Sequence, residues 1–318
     1  MKEYPIIDRT SHKVAVMMGG TSSEKEISIN SGTAIAQGLS QLGWKITPMI
    51  LENDSITQSD LSGIDCVFIA LHGGFGENGE LQSVLEEWGI PYTGSGPKAC
   101  QICMNKKTTK DLLIKGNLPT PDFIVAHKHQ PLPILDNVLY PVAVKPVAEG
   151  SSIGLTCVKK FADLKAALKK AWEFGEEALI ETWIEGHEIT FGILGEEALP
   201  LVEILSAEEF YNYTAKYDSH LTRYLVPAPL EDQETDMIQK MGLEAFKLLG
   251  CYGYARVDML LTPDMKPYIL ELNTVPGFTM TSLFPKAARA ANLSFGELCE
   301  RLIIHALERH PKEHADQK

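Results

Sequence analysis

The chain has 318 residues, enough at about 150 residues per domain for two domains or three small ones. Its 44% apolar and 22% charged residues are a globular composition, which excludes a disordered, collagen-like or coiled-coil chain. Twenty-nine Lys and Arg against 42 Asp and Glu leave a net charge of −13; this excludes the broad basic face that duplex DNA needs but not a local basic site for a small phosphate ligand.

Residues 1–13 (MKEYPIIDRTSHK) lack the apolar stretch of a signal peptide, and no run approaches the roughly 18 apolar residues of a membrane span. A soluble, cytoplasmic chain is expected, with no membrane or nucleic-acid partner. A short apolar strand is expected over 14–18, ended by Gly19 and Gly20. The next helix runs to about Leu42, with an apolar stripe of Ile27, Ala34, Ile35, Leu39 and Leu42. Thr21-x-x-Glu24 and Ser23-x-x-Glu26 both match a capping box at its start. Strands at 46–51 and 66–71, the loop HGGFGENG and a helix over 81–88 continue the alternation. Alternating strands and helices indicate a parallel sheet, whose ligands bind beyond the carboxyl ends of the strands. Glu24 and His72 fall on that edge.

The turn-rich YTGSGP (92–97) marks a boundary. Helices over 97–104 and 106–115 follow, then a strand at 123–126 and a Pro-rich connector in which His127 and His129 read as solvated. Strands at 142–145 and 155–158 flank a Gly/Ser loop; helix 162–172 and strand 178–182 complete a small α+β unit. Beyond Gly186, strands are expected at 188–194 and 199–204, a polar, Tyr-rich loop at 208–223, a helix at 234–249 and two strands, 254–261 and 267–273. The end is helical, with Ser294-x-x-Glu297 as the cap of the last helix. Cys66, Cys157 and Cys251 lie in apolar stretches and are expected as buried thiols; Cys100 and Cys103 form a C-x-x-C with no further ligands at zinc spacing.

The last strand pair carries the strongest chemical signal. Side chains two apart share a face of a strand, which pairs Arg256 with Asp258 and Glu271 with Asn273. If the strands are neighbours, three oxygen ligands and a guanidinium converge, a set suited to Mg²⁺ held jointly with substrate phosphates. The competing reading, a surface Arg256–Asp258 salt bridge, fits poorly with the apolar flanks YARVDML and YILELN. The second signal is EGSSIGL after Lys145. Small residues let backbone N–H groups approach phosphate, and a lysine closing a buried strand needs an anion; a plain hairpin turn is the alternative. His72 in its glycine loop faces a ligand or is a satisfied structural histidine. Glu24 caps its helix or binds a substrate ammonium.

Together GGTSSEKEIS (19–28), LHGGFGENG (71–79), Lys106 in MNKKTTK, VKPVAEGSSIG (144–154), ETWIEGHE (181–188), YNYTAKY (211–217), YARVDML (254–260) and ELNTVPGFTMTSL (271–283) resemble the D-alanine–D-alanine ligase family of the ATP-grasp superfamily. The matching segments run in order over nearly the whole chain. One departure is Asn78, which stands where the family's G-E-D-G has Asp. The resemblance implies an α/β (α+β) fold of three-domain ATP-grasp architecture: an N-terminal parallel α/β domain (1–96), a central subdomain (97–185) and a C-terminal subdomain (186–318) with a lid at 208–223. It implies ATP and two Mg²⁺ (or Mn²⁺) as cofactors, two D-alanine molecules as substrates, and a homodimer. Lys106, Lys145 and Lys216 would meet ATP phosphates. Glu181, Trp183 and Ile184 would hold adenine, and Glu188 the ribose. Asp258, Glu271 and Asn273 would hold the metal ions, with Glu271 bridging. Glu24, in a chain with Ser151 and Tyr217, would bind the first D-alanine, and His72 would sit near the reacting groups. Arg256 and the Gly277 N–H would form an oxyanion hole; Ser282 and Leu283 would hold the second D-alanine. Rivals are another carboxylate–amine ligase, such as a D-alanine–D-lactate ligase, and a non-catalytic nucleotide-binding regulator. Tyr217 favours the dipeptide form over the ester, although His220 lies nearby.

Overall fold

A computed structural model describes residues 5, 7–133, 138–206 and 222–309. The expected lid, with Lys216, Tyr217 and His220, lies outside the described residues apart from its last two positions.

The N-terminal part is built on a parallel sheet of β1 (Lys13–Gly19), β2 (Lys45–Leu51) and β3 (Cys66–Ile69), with β1 in the centre. Helix α1 (Lys25–Gln41) connects β1 to β2; α2 (Gly74–Glu77) and α3 (Glu80–Glu87) follow β3. Strand β1 is buried on both faces and its alternate side chains feed different cores. Val14, Val16 and Met18 pack with Ile35 and Leu39 of α1, whereas Ala15 and Met17 pack with Leu81 and Leu85 of α3. Burial of each Val, Ile, Leu or Met side chain among these is worth about 1.5–3 kcal/mol. Gly32 permits the close approach of α1: a Cβ there would stand 2.6 Å from Met18 Cβ.

The expected caps of α1 do not form. Glu24 is the N-cap residue, but its side chain makes no capping bond. Ser22 Oγ instead accepts from the Glu24 N–H and donates to the His72 carbonyl, tying the two loops together. The cap at Ser294 does form: the Ser294 N–H donates to Glu297, and Ser294 Oγ accepts from the Glu297 N–H. The loop after β3, read as irregular, contains the one-turn α2.

Helices α4 (Pro97–Met104) and α5 (Lys106–Lys115) lead into an antiparallel sheet ordered β4 (Phe123–His127), β7 (Glu177–Thr182), β5 (Val142–Pro146), β6 (Thr156–Val158), covered by α6 (Phe161–Ala171). Cys157 on β6 is only half-buried, against the expectation of a buried thiol, because edge strand β6 pairs with β5 alone among the described strands. The third sheet is antiparallel: β11 (Thr222–Leu225), β10 (Val202–Ser206), β8 (His187–Leu194), β12 (Tyr254–Leu261) and β13 (Pro267–Asn273), with β9 (Glu197–Ala198) on β8. Helix α7 (Asp232–Leu248) packs on one face, together with residues of α4 and α5. Helices α8 (Leu283–Ala290) and α9 (Phe295–Arg309) pack on the other and join the α1 core. Helix α7 starts two residues earlier than expected because Glu231 and Glu234 form a capping box.

Candidate active site

A cavity of about 570 Å³ opens between the two antiparallel sheets. Lys106, Lys145, Glu181, Trp183, Ile184, Glu188, Asp258 and Glu271 all line it. Eight residues from five separate sequence motifs thus meet at one cleft.

On the third sheet, β12 and β13 set Asp258 opposite Glu271 and Arg256 opposite Asn273. A bulge follows: Met259 pairs with Ile269, which leaves Leu270 without a register partner. Bulges re-aim side chains beside functional sites. Here strict alternation breaks, and Leu270 and Glu271 both line the cavity. Asp258 is heavily engaged. Arg256 Nε and Nη2 donate to its two oxygens at 2.8 and 2.6 Å, Thr190 Oγ1 donates at 2.6 Å and Asn273 Nδ2 at 3.1 Å. The Arg256–Asp258 bridge does form, but as a largely buried pair, with side chains 15% and 13% exposed. Among the described residues no three His, Cys, Asp or Glu side chains converge into a ready metal cage. Two carboxylates and an amide oxygen are nevertheless the sparse oxygen set expected of Mg²⁺, which draws its remaining ligands from water and substrate phosphates. The donor set fits the ion.

Lys106 opens α5, whose N-cap Asn105 accepts from the Thr108 N–H at 2.9 Å. Its ammonium stands 3.0 Å from Glu271 and donates to the Glu149 carbonyl at 2.5 Å, joining β13 to the Gly/Ser loop. Burial pushes the Glu149 carboxyl above its ordinary value, Lys106 pulling it down and Glu24 adding to the rise. In that loop Ser151 and Ser152 take positive φ (50° and 58°), a conformation that side chains disfavour and that persists only where surroundings impose it. One such constraint is the Ser151 Oγ donation to Glu24 Oε1 at 2.6 Å. The anion that Lys145 requires is Glu181: its ammonium lies 3.1 and 2.9 Å from the two carboxylate oxygens. Burial pushes the Glu181 carboxyl up, but Lys145 and Lys110 outweigh it and hold the group below its ordinary value.

His72 is 4% exposed, and both ring nitrogens have protein partners: Nδ1 with the Val275 carbonyl and Nε2 with Ser31 Oγ, each at 3.1 Å. Ser31 Oγ also accepts from the Phe278 N–H at 3.3 Å. His72 and Ser31 therefore hold the loop carrying Gly277 from behind. Ser282 is the N-cap residue of α8; its Oγ accepts from the Thr279 N–H and lies 3.2 Å from where a Cβ on Gly277 would be. Leu283 buries its side chain in the α1 core, so only its backbone is available to a ligand. Residues the sequence reading passed over are Ser31, Glu77, Lys110 and Thr190. Lys110 had a signal, since it follows Lys106 by four and so shares its helix face. Ser31 and Thr190 had none, because only the tertiary register brings them to His72 and Asp258.

The cleft and its two flanking sheets define an ATP-grasp enzyme. Residues 52–95 match the family model described as D-ala D-ala ligase N-terminus, and residues 116–304 the one described as D-ala D-ala ligase C-terminus. D-alanine–D-alanine ligase of Syntrophotalea carbinolica is 42% identical over 296 residues, covering 92% of this chain and 96% of its own. The enzyme of the same name from Cupriavidus metallidurans is 42% identical over 318 residues, covering 98% and 97%. The crystal structure of D-alanine–D-alanine ligase from Bacillus anthracis complexed with ATP superposes with a TM-score of 0.85 at 34% identity, covering 94% of this chain and 98% of that one. The chain belongs to the D-alanine–D-alanine ligase family. Among the described residues no helix is long and apolar enough to cross a membrane.

Proposed function

We propose that the protein joins two D-alanine molecules into D-alanyl-D-alanine, using ATP and passing through D-alanyl phosphate. The observation that carries this reading is the meeting of Lys106 and Lys145 with Asp258 and Glu271 across one cleft. A carboxylate does not react with an amine near neutral pH and must first be activated. Bringing it within about 4 Å of a phosphate charge costs on the order of 4 kcal/mol per pair at an effective dielectric of 20. Lys106, Lys145 and Arg256 offset that repulsion. Asp258, Glu271 and Asn273 would hold two Mg²⁺ (or Mn²⁺) ions, which supply charge neutralisation on the transferring phosphoryl group. Trp183 and Ile184 border adenine and Glu188 takes the ribose hydroxyls. Lys216 and Tyr217 keep the roles implied by their motif.

Glu24, oriented by Ser151, binds the ammonium of the first D-alanine. One carboxylate oxygen of that D-alanine attacks the γ-phosphorus and ADP leaves. The amine of the second D-alanine, whose carboxylate lies at the N-terminus of α8 beside Ser282 and the Leu283 N–H, attacks the acyl carbon. Arg256 and the Gly277 N–H receive the oxyanion, and phosphate departs. His72 acts by fixing the Gly277 loop. The three-domain division at 96/97 and 185/186, a homodimer, and a cytoplasmic role supplying peptidoglycan precursor belong to the same reading. Light scattering on the purified protein tests the dimer. The activity is tested by ADP release with Mg²⁺ and D-alanine, L-alanine or D-lactate in parallel. Release with D-alanine alone is expected; equal release with L-alanine refutes the stereochemical assignment.

A further inference from the structure

Lys110 is fully buried, an unusual place for an ammonium. Its ammonium donates to Thr120 Oγ1 at 2.7 Å and to the Pro121 carbonyl at 3.1 Å, and it stands 3.0 Å from Glu181 Oε2 as an ion pair. Burial pushes the ammonium down to about 8, with Glu181 opposing that shift and Lys145 adding to it. Unlike Glu181 and Lys145, Lys110 does not line the cleft. The three charges therefore stand in file from interior to cleft: Lys110, then Glu181, then Lys145. Asp122, just before β4, is the further charged group acting on Lys110.

We infer that Lys110 is a positioning residue, the permanent counter-ion of Glu181, which frees Lys145 to leave that carboxylate for a nucleotide phosphate. The inference rests on the proposed ATP cleft. Two lysines around one buried carboxylate leave a single net positive charge, presented by Lys145 to the cavity. When Lys145 turns to a phosphate, Glu181 keeps Lys110 and is never a lone buried charge. Without Lys110 the same movement strands the carboxylate in a dry wall. A stranded carboxylate is costly unless it takes up a proton. Nucleotide binding then becomes coupled to protonation of Glu181.

The test is calorimetric titration of ADP with Mg²⁺ in two buffers of different ionisation enthalpy. Wild type, Lys110→Met and the charge-keeping Lys110→Arg are compared, each with its thermal midpoint recorded. Lys110→Met is expected to bind ADP at least tenfold more weakly, with about one more proton taken up than wild type. Lys110→Arg keeps the single positive charge, and should stay within fivefold of wild type with no added proton. Weaker binding of Lys110→Met without added proton uptake means that Lys110 only packs the wall, and overturns the inference; so does a loss below tenfold. If Lys110→Met does not fold, Lys110→Gln takes its place and must show the same weakening and added proton; without them the inference is overturned. Absence of ADP binding by wild type would instead refute the cleft assignment.

Discussion

Ser151 Oγ donates to Glu24 Oε1 at 2.6 Å, a bond between residues 127 apart in sequence that closes the Gly/Ser loop onto the start of α1. A hydrogen bond to a charged group is worth about 1.5–3 kcal/mol. Ser151→Ala is expected to raise the KM for the first D-alanine by about ten- to a hundredfold at saturating ATP. Ser151→Gly removes the same hydroxyl but relieves the positive φ, so it should lose as much binding while being the more stable of the two. Steady-state kinetics and thermal melts of the pair check this. An unchanged KM in both would mean that Glu24 is oriented by something else.

Glu271→Gln keeps the shape of the proposed bridging ligand and removes its charge, and with it the pairing to Lys106 at 3.0 Å. Turnover is expected to fall at least a hundredfold with the fold intact by circular dichroism. Removing divalent ions with EDTA should abolish wild-type turnover, and Mg²⁺ or Mn²⁺ should restore it. Normal turnover of Glu271→Gln at millimolar Mg²⁺ contradicts the metal assignment.

Ser31 Oγ bridges the His72 ring and the Phe278 N–H inside the protein. Ser31→Ala leaves both partners buried without it, at a cost of about 1–3 kcal/mol in stability. The loosened Gly277 loop should lower kcat more than it raises either KM. Urea titration and initial rates measure the two effects. A loss of stability with unchanged kcat would confine His72 and Ser31 to a structural role.

Burial pushes the Glu77 carboxyl above its ordinary 4.5; His72 opposes the rise and Glu24 adds to it. From 4.5 up to the raised native value, the folded protein holds a proton that the unfolded chain has lost. Stability contributed by this group therefore falls as pH rises through that window, and the full cost remains above it. Glu77→Gln removes the titration, so its stability relative to wild type should climb with pH above 4.5 and then level off. Denaturant midpoints across pH 4–8 report the difference; a flat difference would contradict the burial effect.

The sequence carried the elements better than their joints. Spacing alone placed the two strands around a Thr-Pro-Asp turn and put Arg256 with Asp258 and Glu271 with Asn273 on shared faces, but only the folded chain sets Asp258 against Glu271. It could not show the bulge that brings Leu270 and Glu271 to the same cavity, since no local pattern of apolar residues marks one. The caps divided the same way. Ser294 and Glu297 met across one free helix start, whereas Thr21, expected to cap with Glu24, donates its hydroxyl to Asp54 instead, a partner 33 residues away. His72 carried a true ambiguity. A glycine loop beyond a buried strand suits a ligand-facing histidine, yet the chain supplies Val275 and Ser31 to both its nitrogens. Lys110 was overlooked because a lysine in a polar helix reads as solvated until the sheet beneath it is known.

The central claim is that a D-alanine carboxylate is activated as an acyl phosphate in the cleft between the two antiparallel sheets. D-alanine labelled with ¹⁸O in both carboxylate oxygens tests it most directly, with the inorganic phosphate released during dipeptide synthesis analysed by mass spectrometry. The account predicts one ¹⁸O atom per phosphate formed, carried over when the second amine displaces the phosphate from the acyl carbon. Phosphate free of ¹⁸O, alongside normal dipeptide yield, would contradict it.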